Sequence, residues 1–185
     1  DPTMYIAGTE DGHIHKCSCS YSEQHLESFF GHSGPVYKIR WSPFSPNTFL
    51  SCSADWTIKL WDQESPNAIF TFSSTTDYVA DISWSPNSST VFASVTGDGR
   101  VDVWDIAINT LDPLTSTSTG LRLSTVAFSI ASPVLVVGHE GGGVDVYSLQ
   151  GSLAEPLGRT VQEQIDALEK VTATVQDDAP PVAVH

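Results

Sequence analysis

The sequence predicts an all-β chain: the C-terminal part of a β-propeller, about three and a half blades of a ring read as seven-bladed, followed by a short C-terminal helix. Three observations carry this. Ile14, Ile58, Val101 and Val144 recur at spacings of 44, 43 and 43, and Trp61, Trp104 and Tyr147 follow them at 43 and 43, with Cys17 in the earlier slot. A turn acid recurs as Asp11, Asp55 and Asp98. Strands ending in Trp41, Trp84 and Phe128 recur as well, the first two followed by Ser-Pro. A period this constant marks a stacked array in which each unit is one four-stranded sheet.

The elements follow in order. MYIAGTEDGHIHKCS reads as two strands joined at Glu10-Asp11-Gly12, and LESFF as the outer strand of the same blade. The second blade is the most regular, with VYKIRWS, TFLSCSA, TIKLWD and AIFTFSS separated by turn residues. DYVADISWS, VFASVTG and RVDVWDI form the third. NTLDPLTSTSTG then reads as a surface excursion, because its Ser and Thr run has no apolar alternation. LSTVAFS, VLVVGHE and GVDVYSL supply a last blade without a fourth strand. The blades are therefore expected over 1–150 and a tail over 151–185. Within the tail, Val161, Ile165, Leu168, Val171 and Val175 fall at helical spacing, and Thr160 with Glu163 forms a capping box, so a helix is predicted over about 160–175. That helix lies on the propeller or on a partner. From Gln176 the DDAPPVAVH stretch is expected to be disordered.

An open arc would expose strand edges and blade flanks, so the chain reads as part of a longer protein, closed by further repeats or by a second chain. With 22 Asp and Glu against 8 Lys and Arg, its formal net charge is −14. Phosphate backbones and anionic lipid repel such a surface, which disfavours nucleic-acid and membrane binding. Cys17, Cys19 and Cys52 are too few for a disulfide framework and suit a reducing compartment. No apolar run approaches the roughly 18 to 20 residues that span a bilayer, and no signal peptide opens the chain, so a soluble intracellular protein is expected.

The stretch SCSADWTIKLWD, with Gly31-His32 upstream and Trp61-Asp62 at its end, resembles a WD repeat. In such repeats a hydrogen-bonded set of His, Ser, Asp and Trp buttresses the blade. The resemblance implies His32, Ser51, Asp55 and Trp61 in the second blade, and Ser94, Asp98 and Trp104 in the third, which lacks the His. The first blade keeps Asp11 only. In the last, Gly141 and Tyr147 stand in the Asp and Trp slots, so packing must support it.

Ser, His and Asp together also invite an enzyme reading. A nucleophile needs an accessible cleft and an oxyanion hole, whereas these residues fall on blade-locking strands and turns. G-x-S-x-G and a phosphate-binding Gly loop are absent, and Gly141-Gly142-Gly143 precedes a strand, not a helix. No catalytic residue, cofactor or metal is expected. His13, His15, Cys17 and Cys19 alternate on one strand face, but at about 3.3 Å per residue they spread too far for one tetrahedral centre.

Within the WD repeats, the turn Ala54-Asp55-Trp56-Thr57 has a Trp where a small residue is usual, and DWTIKLW resembles dynein intermediate chains. DYVADISWSP, VFASV and GDGRVDVWDI, with Asn109-Thr110 and Pro113 after them, are similar to that family too. GHIHKCSCSYSEQ and GHSGPVYKIRWSPFSPNTFLSCSADWTIKLWD look most like the intermediate chain of the two-headed, inner-arm axonemal dynein. The resemblance covers residues 4–150. It implies a non-catalytic scaffold whose propeller holds a dynein heavy-chain tail beside a second intermediate chain, in the axoneme of a cilium or flagellum. Light chains would attach through regions outside this sequence. Trp56, Phe44 and Tyr78 are the candidate partner contacts, as aromatics outside the packed slots. The alternative is a WD-repeat adaptor unrelated to dynein.

Overall fold

The computed structural model describes residues 3–20, 24–154 and 158–176, the last three by backbone alone. Its strands form four antiparallel sheets. The first blade holds β1 (Met4–Gly8), β2 (Ile14–Ser18) and β3 (Glu27–Phe29). The second holds β4 (Val36–Trp41), β5 (Thr48–Ser53), β6 (Ile58–Asp62) and β7 (Ala68–Phe72). The third comprises β8 (Val79–Trp84), β9 (Val91–Thr96), β10 (Arg100–Asp105) and β11 (Thr115–Ser118), and the last β12 (Leu123–Phe128), β13 (Val134–His139) and β14 (Val144–Ser148). Each sheet is a meander, its strands hydrogen-bonded in chain order.

Alternation explains which residues fill the spaces between blades, because successive side chains on a strand face opposite neighbours. On one face of the second blade, Phe49 and Trp61 stack at 6.1 Å and meet Phe29 and Ile14 of the first. On its other face, Leu50, Leu60 and Phe72 pack against Phe92 and Trp104 of the third. Both faces of a central blade are thus buried, which is why β5 and β9 are covered along their whole length.

The inner strands share an irregularity at one place. The register of β4 with β5 shifts between Val36 and Lys38, that of β8 with β9 between Val79 and Asp81, and that of β12 with β13 between Leu123 and Thr125. A bulge at the head of each inner strand bends it and sharpens its twist.

One region differs from the sequence expectation, and for a second the structure selects one of the two placements left open. The Ser and Thr run read as a surface excursion contains β11, the fourth strand of its blade. All four of its residues are exposed, so no buried face imposed an apolar alternation on them. The tail helix, α1 (Val161–Gln176), lies against the propeller. The Thr160 N–H donates to Glu163 Oε2 at 2.7 Å and the Glu163 N–H to Thr160 Oγ1 at 3.3 Å, closing the capping box. Leu168 enters the core shared by the second and third blades, with Val171 beside it. Gln164 receives the Ser89 N–H at 2.9 Å, and its amide donates to the Asn87 carbonyl at 2.9 Å. Val175 lies where only backbone is described, and the tail expected to be disordered, 177–185, lies outside the described residues.

Candidate functional site

The β5–β6 hairpin turn brings the second blade's polar residues together. Trp61 Nε1 donates to Ser51 Oγ at 2.8 Å, and Ser51 Oγ lies 2.7 Å from His32 Nε2. His32 Nδ1 lies 3.0 Å from Asp55 Oδ2, which also accepts the Ser33 N–H at 2.9 Å. Thr57 donates its hydroxyl to Asp55 Oδ1 at 2.7 Å and its N–H at 3.0 Å. One direction satisfies every group: indole N–H to Ser51, Ser51 hydroxyl to Nε2, and Nδ1–H to the carboxylate. This requires neutral His32 and ionised Asp55. Burial lowers the His32 pKa, an effect only partly offset by Asp55. For Asp55, burial acts upward, but the bonds from Thr57 and the Ser33 N–H, with His32 beside them, outweigh it and hold the carboxyl below its ordinary range.

The third blade keeps half of this. Trp104 Nε1 donates to Ser94 Oγ at 3.1 Å, but Asp98 lies apart and accepts the hydroxyls of Thr76 and Thr96 instead. Thr76 stands on Asp98 much as His32 stands on Asp55, and its short side chain does not extend to Ser94. Sequence reasoning missed Thr57 and Thr76, and with them Asp81. Asp81 is buried on β8, and its carboxylate accepts Thr125 Oγ1 at 2.8 Å and the Val126 N–H at 3.1 Å, with Arg40 Nη2 at 3.5 Å. It thereby joins the inner strands of three successive blades. The available signal was an Asp inside the otherwise compact strand VADISW.

The candidate contact residues do not form one patch. Trp56 lies on the β5–β6 turn, 52% exposed, with φ of 70°. The same slot is filled in the other blades by Gly12, Gly99 and Gly142, all at positive φ, so this turn needs a left-handed residue and only here supplies one with a side chain. Tyr78 lies at the same end of the blades but is half-buried, edge-on to Tyr37 at 5.8 Å and packed over Gly97. Phe44 is half-buried in the turn between β4 and β5, at the opposite end. Of the three, Trp56 is exposed, whereas Tyr78 and Phe44 are each half-buried.

The WD domain, G-beta repeat family model matches residues 23–62 and 66–105. "Dynein axonemal intermediate chain 4" of Rattus norvegicus is 49% identical over 152 residues, which is 81% of this chain and 19% of that protein. This is a WD40-repeat chain homologous to axonemal dynein intermediate chains. The human protein of the same name is 47% identical over 81% of the chain and 18% of its own length. "Dynein intermediate chain 2, ciliary" of Heliocidaris crassispina is 37% identical over 94% of the chain and 26% of its own length. The chain thus spans about a fifth to a quarter of these relatives. A chain of the crystal structure of a mitotic checkpoint complex shares the fold, with TM-score 0.73 and 19% identity over 81% of this chain and 48% of that one.

Within this WD40-repeat chain, His15 and His25 stack at 3.9 Å and Cys17 Sγ lies 3.6 Å from His25 Nδ1. Among the described residues no group of three or more His, Cys, Asp or Glu is arranged to hold a metal ion. At the β5–β6 turn the polar groups of His32, Asp55 and Thr57 are taken up in holding the blade, and Trp56 stands exposed beside them.

Proposed function

We propose that the full-length protein is a non-catalytic scaffold subunit of an axonemal dynein motor, its propeller binding a dynein heavy-chain tail and helping to assemble or dock the complex for ciliary motility. The homology to axonemal intermediate chains supports the subunit role, and the axonemal and ciliary homologues support a place in the cytoskeleton of the cilium or flagellum. The structural observation that carries the binding reading is Trp56. A left-handed backbone costs a residue with a Cβ about 1 kcal/mol, and three sister turns avoid that cost with Gly. Retention of a half-exposed indole at such a position fits an anchor for a partner. Residues 1–150 act as the blades and 151–185 as a tail whose helix braces them. A second intermediate chain shares the assembly, and light chains attach through regions outside residues 1–185.

Binding of the full-length protein to a purified dynein heavy-chain tail, compared with its Trp56→Ala variant, tests this. Association that weakens by about tenfold or more in a folded variant supports the anchor. Unchanged association removes Trp56, and no association of either protein removes the heavy-chain tail as partner.

A further inference from the structure

Two buried side-chain atoms among the described residues have no hydrogen-bond partner, Ser74 Oγ and Asp102 Oδ2. Both residues are held by Arg100 of the third blade. Its Nη1 donates to the Ser74 carbonyl at 2.9 Å, and its Nε lies 2.8 Å from Asp102 Oδ1 and 2.9 Å from Ser116 Oγ. The guanidinium thus grips one oxygen of a fully covered carboxylate and leaves the other unmet.

A third unmet group stands in the same row. Ser94 and Asp102 are register partners on β9 and β10, so their side chains are neighbours on one face of the sheet. Ser94 Oγ accepts the Trp104 indole N–H at 3.1 Å, and its own hydroxyl proton finds no acceptor among the described residues. The second blade shows what this row needs. There the Ser51 hydroxyl meets His32 Nε2 at 2.7 Å, and Lys59, opposite Ser51 in the slot of Asp102, donates to Thr71 Oγ1 at 2.8 Å. In the third blade Thr76 stands on Asp98 in place of the histidine and ends short of Ser94.

We infer that an ordered internal water binds between Ser94, Asp102 and Ser74 and takes the part that the His32 imidazole plays in the second blade. It accepts the Ser94 hydroxyl proton and donates its own two protons to Asp102 Oδ2 and Ser74 Oγ. Three bonds to otherwise unmet buried groups are the usual complement of an internal water. An imidazole ring is larger than a water molecule, so the shorter Thr76 gives room for one. Water fits better than a metal cation, because Arg100 already places a positive charge against Asp102.

A cryo-electron microscopy structure of the full-length protein, at a resolution that shows ordered waters, tests the inference. The expected result is one water within hydrogen-bonding distance of Ser94 Oγ, Asp102 Oδ2 and Ser74 Oγ. Hydrogen exchange along β9 and β10 supplies a second reading, since both serines hold the same water. Ser74→Ala should speed exchange there about threefold or more in the otherwise native protein, and less than about twofold when Ser94 is already Ala. A direct bond from either serine to Asp102 Oδ2, a site without a water, a metal ion in its place, or equal effects of Ser74→Ala in the two backgrounds would overturn it.

Discussion

Ser51 Oγ is the hinge of the buried network, taking the Trp61 indole N–H and meeting His32 within one fully covered site. Replacing it with Ala leaves two buried polar partners unmet, so Ser51→Ala should cost about 1 to 3 kcal/mol in urea unfolding with the fold retained. His32 gives the same network a pH dependence. Its folded pKa is lowered, chiefly by burial, so below the unfolded value of about 6.5 the unfolded chain binds a proton that the folded chain does not. Stability should be level above that point and fall as pH drops from about 6.5 toward 5. His15, also lowered by burial and by its His neighbours, adds in the same direction. His32→Gln should therefore reduce the slope without abolishing it, and an unchanged slope would rule out His32 as a source. At the turn, Trp56→Gly should raise stability by about 1 kcal/mol by removing the left-handed strain, while Trp56→Ala should not. Thermal unfolding of the two variants separates the backbone effect from any binding loss.

The helix and β11 show at the scale of elements what a sequence displays and what it hides. The helix was legible because Thr160 and Glu163 cap it and Ile165, Leu168 and Val171 share a face that the blades cover. Its seat was not legible, because a helical stripe does not name the surface it meets, and the decisive Gln164 bonds join residues 75 and more positions apart. β11 was hidden for the opposite reason: an outer strand with both faces open carries no alternation. The bond between Leu168 and the two central blades can be tested directly. Leu168→Ala should cost about 3 kcal/mol or release the helix, raising hydrogen exchange across α1 while the strands stay protected. Equal protection of α1 in both proteins would show that its polar bonds alone hold it.

Across the whole molecule, the period of 43 to 44 residues was enough to place the blades, since each residue's slot sets the neighbour it meets. The second blade's His32, Ser51, Asp55 and Trp61 could be named from the repeat, and they meet within hydrogen-bonding distance. Asp98 could be named but not its company, because the missing His is replaced by a Thr from a linker that the repeat pattern does not describe. Asp81 could not be named at all, as its partners come from the blades on either side of its own. The burial of Tyr78 was not legible, since its packing on Tyr37 brings the linker before β8 against β4 of the preceding blade. The central claim, a scaffold subunit of an axonemal dynein, is tested most directly by affinity capture of the full-length protein from axoneme extract with mass spectrometry of what it holds. Dynein heavy chains recovered together with a second intermediate chain is the predicted result. A folded bait that recovers neither would contradict it and leave a propeller with a different partner.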